Sequence, residues 1–231
     1  MQERAHTIIF SHGFGVKKDD RGLFSGPEGI AESFQNENCE VVLFDYNQID
    51  EEENTITTIP LHMQAQMLEQ KIREVKDRNP DTIIDIIAHS QGCIAPAILL
   101  PEGIRNVVYI APSIDANIDR MIGYFSQNSK TEINLDGVSK LARADGSSTY
   151  VTSEYWKERA QAHPIPLYTA LAHNTKITIF HANDDTTLGH HSLEGIADEI
   201  SVFTLDGDHN FTGSARAPLI EKIKKLLFEE V

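Results

Sequence analysis

One stretch limits the folds open to this chain: Thr82 to Pro96, reading Thr-Ile-Ile-Asp-Ile-Ile-Ala-His-Ser-Gln-Gly-Cys-Ile-Ala-Pro. Ile83, Ile84, Ile86 and Ile87 form an apolar, β-branched run, the pattern of a strand buried on both faces, and the residues after Ser90 suit a helix. The spacing Ala88-His89-Ser90-Gln91-Gly92 is the G-x-S-x-G turn with alanine in the first small position. Such a strand-to-helix turn holds its serine in strained backbone geometry, and the residues two before and two after must be small to avoid collision across it. A serine there also faces the unpaired N–H groups of a helix N-terminus, which can stabilise an oxyanion. A purely structural turn serine fits the same five residues, so the motif needs partners elsewhere in the chain.

The rest of the chain repeats the alternation. Apolar runs at Thr7 to Phe10, Val41 to Phe44, Val107 to Ala111, Lys176 to Phe180 and Ser201 to Leu205 predict further strands. Helical spacing predicts helices over Glu28 to Asn36, over a stretch from Pro60 to about Asn79 with Thr57 or Thr58 as N-cap, after Ser90 to about Leu100, over Leu193 to Ile200 and over Ala217 to Phe228. Strands alternating with helices argue for a parallel sheet covered on both faces, and 231 residues suit one such domain with an insertion. The rhythm breaks between Ser113 and Ala172, where Asp136-Gly137 is a hairpin signal. We therefore expect an inserted lid over 113–172 on a core made of 1–112 and 173–231. Its aromatics Tyr124, Phe125, Tyr155 and Trp156 either line a substrate pocket or form the insertion's own small core.

Groups able to do nucleophilic chemistry follow three separate strands, in the order Ser90, Asp184 or Asp185, and His209. Parallel strands bring their C-terminal ends to one sheet edge, so these groups can converge as a nucleophile, a carboxylate and an imidazole. After the first strand, Ser11-His12-Gly13-Phe14-Gly15 allows a tight turn that aims an N–H toward the same edge. The order of the groups, the elbow and this His-Gly turn together resemble the α/β-hydrolase family over nearly the whole chain. The resemblance implies Ser90 as nucleophile, His209 as general base and acid, and the main-chain N–H groups of Phe14 and Gln91 as an oxyanion hole. Matching His181-Ala182 to the family's His-Gly pair selects Asp185 as the acid, with Asp184 as the fallback. It implies an α/β-hydrolase fold, a mostly parallel doubly wound sheet with helices on both faces, without the family's leading antiparallel strands. A sheet shortened in this way leaves an edge for a partner, such as a second copy in a homodimer. The inserted segment, with its hairpin signal and the run Thr149 to Trp156, resembles that of small bacterial cinnamoyl (feruloyl) esterases, whose lid holds an aromatic acyl group. The activity implied is hydrolysis of small carboxylic esters through an acyl-enzyme, with no metal or cofactor. Thioester, lipid-ester or peptide hydrolysis on the same fold, or non-catalytic binding of a small molecule, are the alternatives.

Composition narrows the partners. Lys+Arg 20 against Asp+Glu 35 gives a net charge of −15, which repels nucleic acid and anionic membranes and disfavours polyanionic substrates such as acyl-CoA unless a local basic patch intervenes. The run Asp50-Glu51-Glu52-Glu53 reads as a solvated loop, because adjacent residues cannot all converge on one ion. His181, His190 and His191 lack a zinc-site spacing. Cys39 and Cys93 are too few for a disulfide framework, and the first residues lack a signal-peptide core, so a cytoplasmic location is expected.

Overall fold

A computed structural model describes residues 5–188 and 193–229. Ten strands alternate with seven α-helices among them. The strands are β1 His6–Ser11, β2 Cys39–Val42, β3 Gln48–Asp50, β4 Thr55–Thr58, β5 Ile83–His89, β6 Asn106–Ile110, β7 Val138–Ala142, β8 Ser148–Thr152, β9 Lys176–Ala182 and β10 Ser201–Leu205. The helices are α1 Ile30–Ser33, α2 Leu61–Arg78, α3 Ile94–Leu99, α4 Ile118–Phe125, α5 Ser153–Gln161, α6 Pro164–Ala172 and α7 Arg216–Lys224.

Six strands form the central sheet in the order β10-β9-β6-β5-β1-β2. All five of its pairings are parallel, so the antiparallel leading strands are absent among the described residues. β5 lies mid-sheet, which is why its isoleucines are β-branched on both faces rather than alternating with polar residues. Ile84, Ile86 and Ala88 face a core shared with Leu68, Ile72 and Val75 of α2 and with Tyr168 and Leu171 of α6. Ile87 faces the opposite core, with Ile30 of α1 and Leu219 and Ile223 of α7. The sheet is thus wrapped on both sides, as the alternation predicts.

A second sheet, in the order β3-β4-β8-β7, gathers strands from two distant parts of the chain. β7 and β8 form an antiparallel hairpin within the segment between β6 and β9, and β8 runs parallel to β4, with Thr55 opposite Ser148 and Thr58 opposite Val151. β3 and β4 are not anticipated by the sequence reading, which gives Thr57 or Thr58 the role of helix cap. Instead Thr58 is the last residue of β4, its hydroxyl donates to the Tyr150 carbonyl at 3.2 Å, and Pro60 occupies the cap position of α2. Asp136-Gly137 lies, as its hairpin signal predicts, in a chain reversal closed by the antiparallel bridge between Glu132 and Lys140, and a second hairpin, β7–β8, closes on Asp145-Gly146, with Arg143 N–H donating to the Ser147 carbonyl at 2.9 Å. The helix expected over Leu193 to Ile200 is absent: the stretch runs in turns, and Gly195 takes a left-handed φ of +84° that stops a helix. The helix expected over Glu28 to Asn36 is reduced to the single turn α1.

Candidate active site

The joint after β5 is a sharp elbow. Ser90 has φ +53°, a conformation that side-chain-bearing residues adopt at a cost and keep only where the surroundings enforce it. The enforcement comes from β1: a Cβ on Gly92 would lie 2.3 Å from the Ser11 carbonyl oxygen and 2.4 Å from that of His12. The Ser11 hydroxyl donates to the Gly92 carbonyl at 2.7 Å, closing the contact. Only glycine lets the turn pass so near the neighbouring strand.

Three side chains meet beyond the elbow. The Ser90 hydroxyl lies 2.9 Å from His209 Nε2, and His209 Nδ1 lies 2.7 Å from Asp185 Oδ2. Asp185 follows β9 and His209 follows β10, so parallel strand ends deliver both to one edge. The other carboxylate oxygen of Asp185 accepts N–H bonds from Thr187 and Leu188, each at 2.9 Å. Burial alone would raise the Asp185 pKa, but the bond from His209 and these two N–H groups outweigh it and hold the carboxyl below its usual range. Asp184, its neighbour, is exposed, and its N–H is engaged by the Gly207 carbonyl at 3.0 Å. His209 is pulled below the ordinary histidine value, chiefly by burial, against the upward influence of Asp185. At neutral pH its imidazole is therefore uncharged, and the Ser90 hydroxyl can donate to Nε2.

No family model matches the chain, and no curated protein matches it. Solved structures do. Est1E from Butyrivibrio proteoclasticus superposes with a TM-score of 0.69 over 99% of this chain and 89% of its own, at 13% identity. The same protein with ferulic acid bound gives 0.71 over 98% and 90%, again at 13% identity. A Paleococcus ferrophilus monoacylglycerol lipase gives 0.68 over 97% and 95%, at 10% identity. The chain has the α/β-hydrolase fold. At such identities the likeness speaks for architecture alone.

Seen within the α/β-hydrolase fold, a second buried Asp–His pair flanks the first. His89 donates from Nδ1 to Asp20 at 2.7 Å and from Nε2 to the His209 carbonyl at 3.0 Å. Both partners are acceptors, so both ring nitrogens carry protons and His89 is cationic; although burial opposes this, Asp20 raises its pKa. The same Asp20 oxygen accepts the Gly13 N–H at 2.9 Å, pinning the turn after β1 beside the elbow. His12 braces that turn from behind: its Nε2 accepts the Tyr46 N–H at 2.9 Å, which leaves Nδ1 to donate to the Gly13 carbonyl, also at 2.9 Å. Sequence reasoning passes over Asp20, because a lone aspartate in a polar glycine-containing loop carries no pattern.

Ser90, Gln91, Phe14 and His209 open onto a cavity of about 190 Å³. The four aromatics singled out in segment 113–172 divide. Tyr124 and Phe125 line the cavity, whereas Tyr155 and Trp156 do not; both are fully buried with Leu141 and Val151 in the core beneath the second sheet. Their polar ends explain the placement, since the Trp156 indole N–H donates to the Ser139 hydroxyl at 3.0 Å and the Tyr155 hydroxyl donates to the Gln91 side-chain carbonyl. Tyr155 thereby braces the residue after Ser90. One cluster of potential metal ligands, His62, Glu154 and Glu158, lies on the outer surface of α2 and α5, where His62 already pairs with Glu158 at 2.5 Å. His190 and His191 lie outside the described residues.

Proposed function

We propose that this chain is a serine hydrolase of small carboxylic esters. The observation that carries the reading is the unbroken hydrogen-bonded row Ser90–His209–Asp185 at the mouth of a cavity. Ser90 Oγ attacks the ester carbonyl carbon while its proton passes to His209 Nε2, and Asp185 holds the Nδ1–H and stabilises the imidazolium. The oxyanion is received by the main-chain N–H groups of Phe14 and Gln91; the neighbouring Gly13 N–H is already committed to Asp20. Collapse expels the alcohol, which takes the proton from Nε2. Water then repeats the sequence on the acyl-enzyme and releases the acid.

A cavity of about 190 Å³ is slightly larger than an engineered site of about 150 Å³ that accommodates benzene, so the enclosed part of the substrate is a short or single-ring group. In this reading segment 113–172 serves as the lid, with Tyr124 and Phe125 touching the substrate. The ferulic acid held by Est1E makes a hydroxycinnamoyl ester a natural member of the first substrate panel. The free thiols of Cys39 and Cys93 suit a reducing, cytoplasmic setting.

Release of nitrophenol from nitrophenyl acetate, measured for the wild type and Ser90→Ala, tests the proposal, with fluorophosphonate labelling of the same pair. We expect turnover and labelling only with Ser90 present. Equal turnover by the two proteins would remove the reading.

A further inference from the structure

The cavity beside Ser90 is basic although the protein is acidic. Carboxylates outnumber lysines and arginines 35 to 20 in the chain, yet four arginines, Arg21, Arg120, Arg143 and Arg159, line this cavity against two aspartates, Asp20 and Asp115. Both aspartates are already paired, Asp20 with His89 at 2.7 Å and Asp115 with Arg120 at 3.3 Å. The remaining lining charge is therefore positive.

Arg159 is the informative member. It projects from α5, is only 3% exposed, and donates from Nη2 to the Ser113 hydroxyl at 2.7 Å. Its Nε and Nη1 are buried and have no partner among the described residues. An enclosed guanidinium satisfied by one neutral hydroxyl is unfavourable, and such a group is retained where something else completes it. Arg143 repeats the theme across the cavity. It donates to the Gly15 carbonyl at 3.1 Å and to Thr149 at 3.0 Å, and its guanidinium sits over the rings of Phe14 and Phe125 at 5.6 and 4.8 Å. Burial lowers its pKa to about 10, which leaves it charged at neutral pH.

Building on the ester-hydrolase reading, we infer that the substrates are anionic esters whose carboxylate docks against Arg159. A carboxylate presents two oxygens to the guanidinium fork, the geometry that Arg satisfies and a hydroxyl does not. Arg159 is tied to the elbow itself, because the N–H of Ser113, the residue that holds it, donates to the Ser90 carbonyl at 3.1 Å. A half-ester of a small dicarboxylic acid carries both an ester carbonyl for Ser90 and a carboxylate for Arg159, which line one cavity. The acidic exterior does not oppose this, since a focused positive cleft attracts an anion that the surface at large repels.

The test compares matched esters. Mono-4-nitrophenyl glutarate against 4-nitrophenyl pentanoate puts the charge on the acyl side, and acetoxyacetate against propyl acetate, followed by acid release, puts it on the alcohol side. In the wild type we expect the anionic member of at least one pair to be favoured in kcat/KM by about 10- to 100-fold, the span of a charge-assisted contact. Arg159→Met should bring that ratio to about one, and Arg159→Lys should keep part of it. A distorted lid would instead slow both members of a pair and leave the ratio intact. Should Arg159→Met fail to fold, the wild-type ratio, the Arg159→Lys ratio and competitive inhibition by glutarate still decide. A wild type that prefers both neutral esters, or a preference that survives Arg159→Met, overturns the inference while fluorophosphonate labelling at Ser90 leaves the hydrolase reading standing. Absence of both labelling and turnover sinks the two together.

Discussion

Replacing Gly92 by alanine perturbs the elbow without touching any reacting group. The new methyl would lie 2.3 Å from the carbonyl oxygen of Ser11, the last residue of β1, and 2.4 Å from that of His12, the next residue, whereas non-bonded contacts settle near 3.5 Å, so about 1 Å must open between the turn and the strand end. Neither oxygen can swing aside as a side chain would, because both belong to the main chain, one at the last residue of an interior strand and one directly after it. The displacement falls on Ser90, two residues away, and on the 2.9 Å contact between its hydroxyl and His209. A misplacement of about 1 Å costs on the order of 100-fold in rate. Overpacking of this kind costs about 1–3 kcal/mol, which for a chain this long lowers Tm by about 2–12 °C. Steady-state hydrolysis of nitrophenyl acetate and a thermal melt measure the two effects on one sample. A variant with kcat/KM within threefold of wild type and an unchanged Tm would refute the claim that close approach of β1 sets the serine.

Four further outcomes follow from the structure. Asp185→Asn should lower kcat by about 10³- to 10⁴-fold with little change in KM, since it removes the acceptor that fixes the His209 tautomer; a loss below tenfold in stopped assays would exclude that role. In the proposed mechanism His209 acts when neutral, and its pKa lies below the ordinary value, so kcat/KM should hold through neutrality and fall, on acidification, with a midpoint below about 6.5. The His89 cation helps to keep that midpoint low, so His89→Asn should move it upward, and a pH–rate profile with an unmoved or lower midpoint would contradict the assignment. Gly123→Ala in α4, where an added Cβ meets nothing within 4 Å and φ is not left-handed, should stabilise by about 0.5–1 kcal/mol and raise Tm by a few degrees; a fall in Tm would be the contrary result.

What the sequence makes legible is what local chemistry enforces. Ile83 to Ser90 announces a buried strand and an elbow because both burial and the tight turn restrict residue type within a few positions. Ser90 and His209 are legible because each follows a strand with recognisable spacing. β3 and β4 escape because the partner that stabilises Thr55–Thr58 is Ser148–Val151, more than ninety residues along the chain, and isolated threonines before a proline suit a helix cap equally well. Asp20 and Arg159 escape for the same reason: their meaning lies in His89 and Ser113, which only the fold brings near. Tyr155 and Trp156 read as either pocket or core, and what separates these is which way each side chain faces, a property no spacing of aromatics encodes.

The parallel ladder between β4 and β8 limits how the segment between β6 and β9 can move. It stitches the β7–β8 hairpin of the segment between β6 and β9 to residues that lead straight into α2, so this segment is fastened at a point far along the chain from its own two ends. Swinging it outward as a rigid flap would tear main-chain hydrogen bonds along four residue pairs at once. On the hydrolase reading proposed above, passage to Ser90 therefore falls to side chains lining the cavity, above all Tyr124, which is 52% exposed and belongs to no strand pairing.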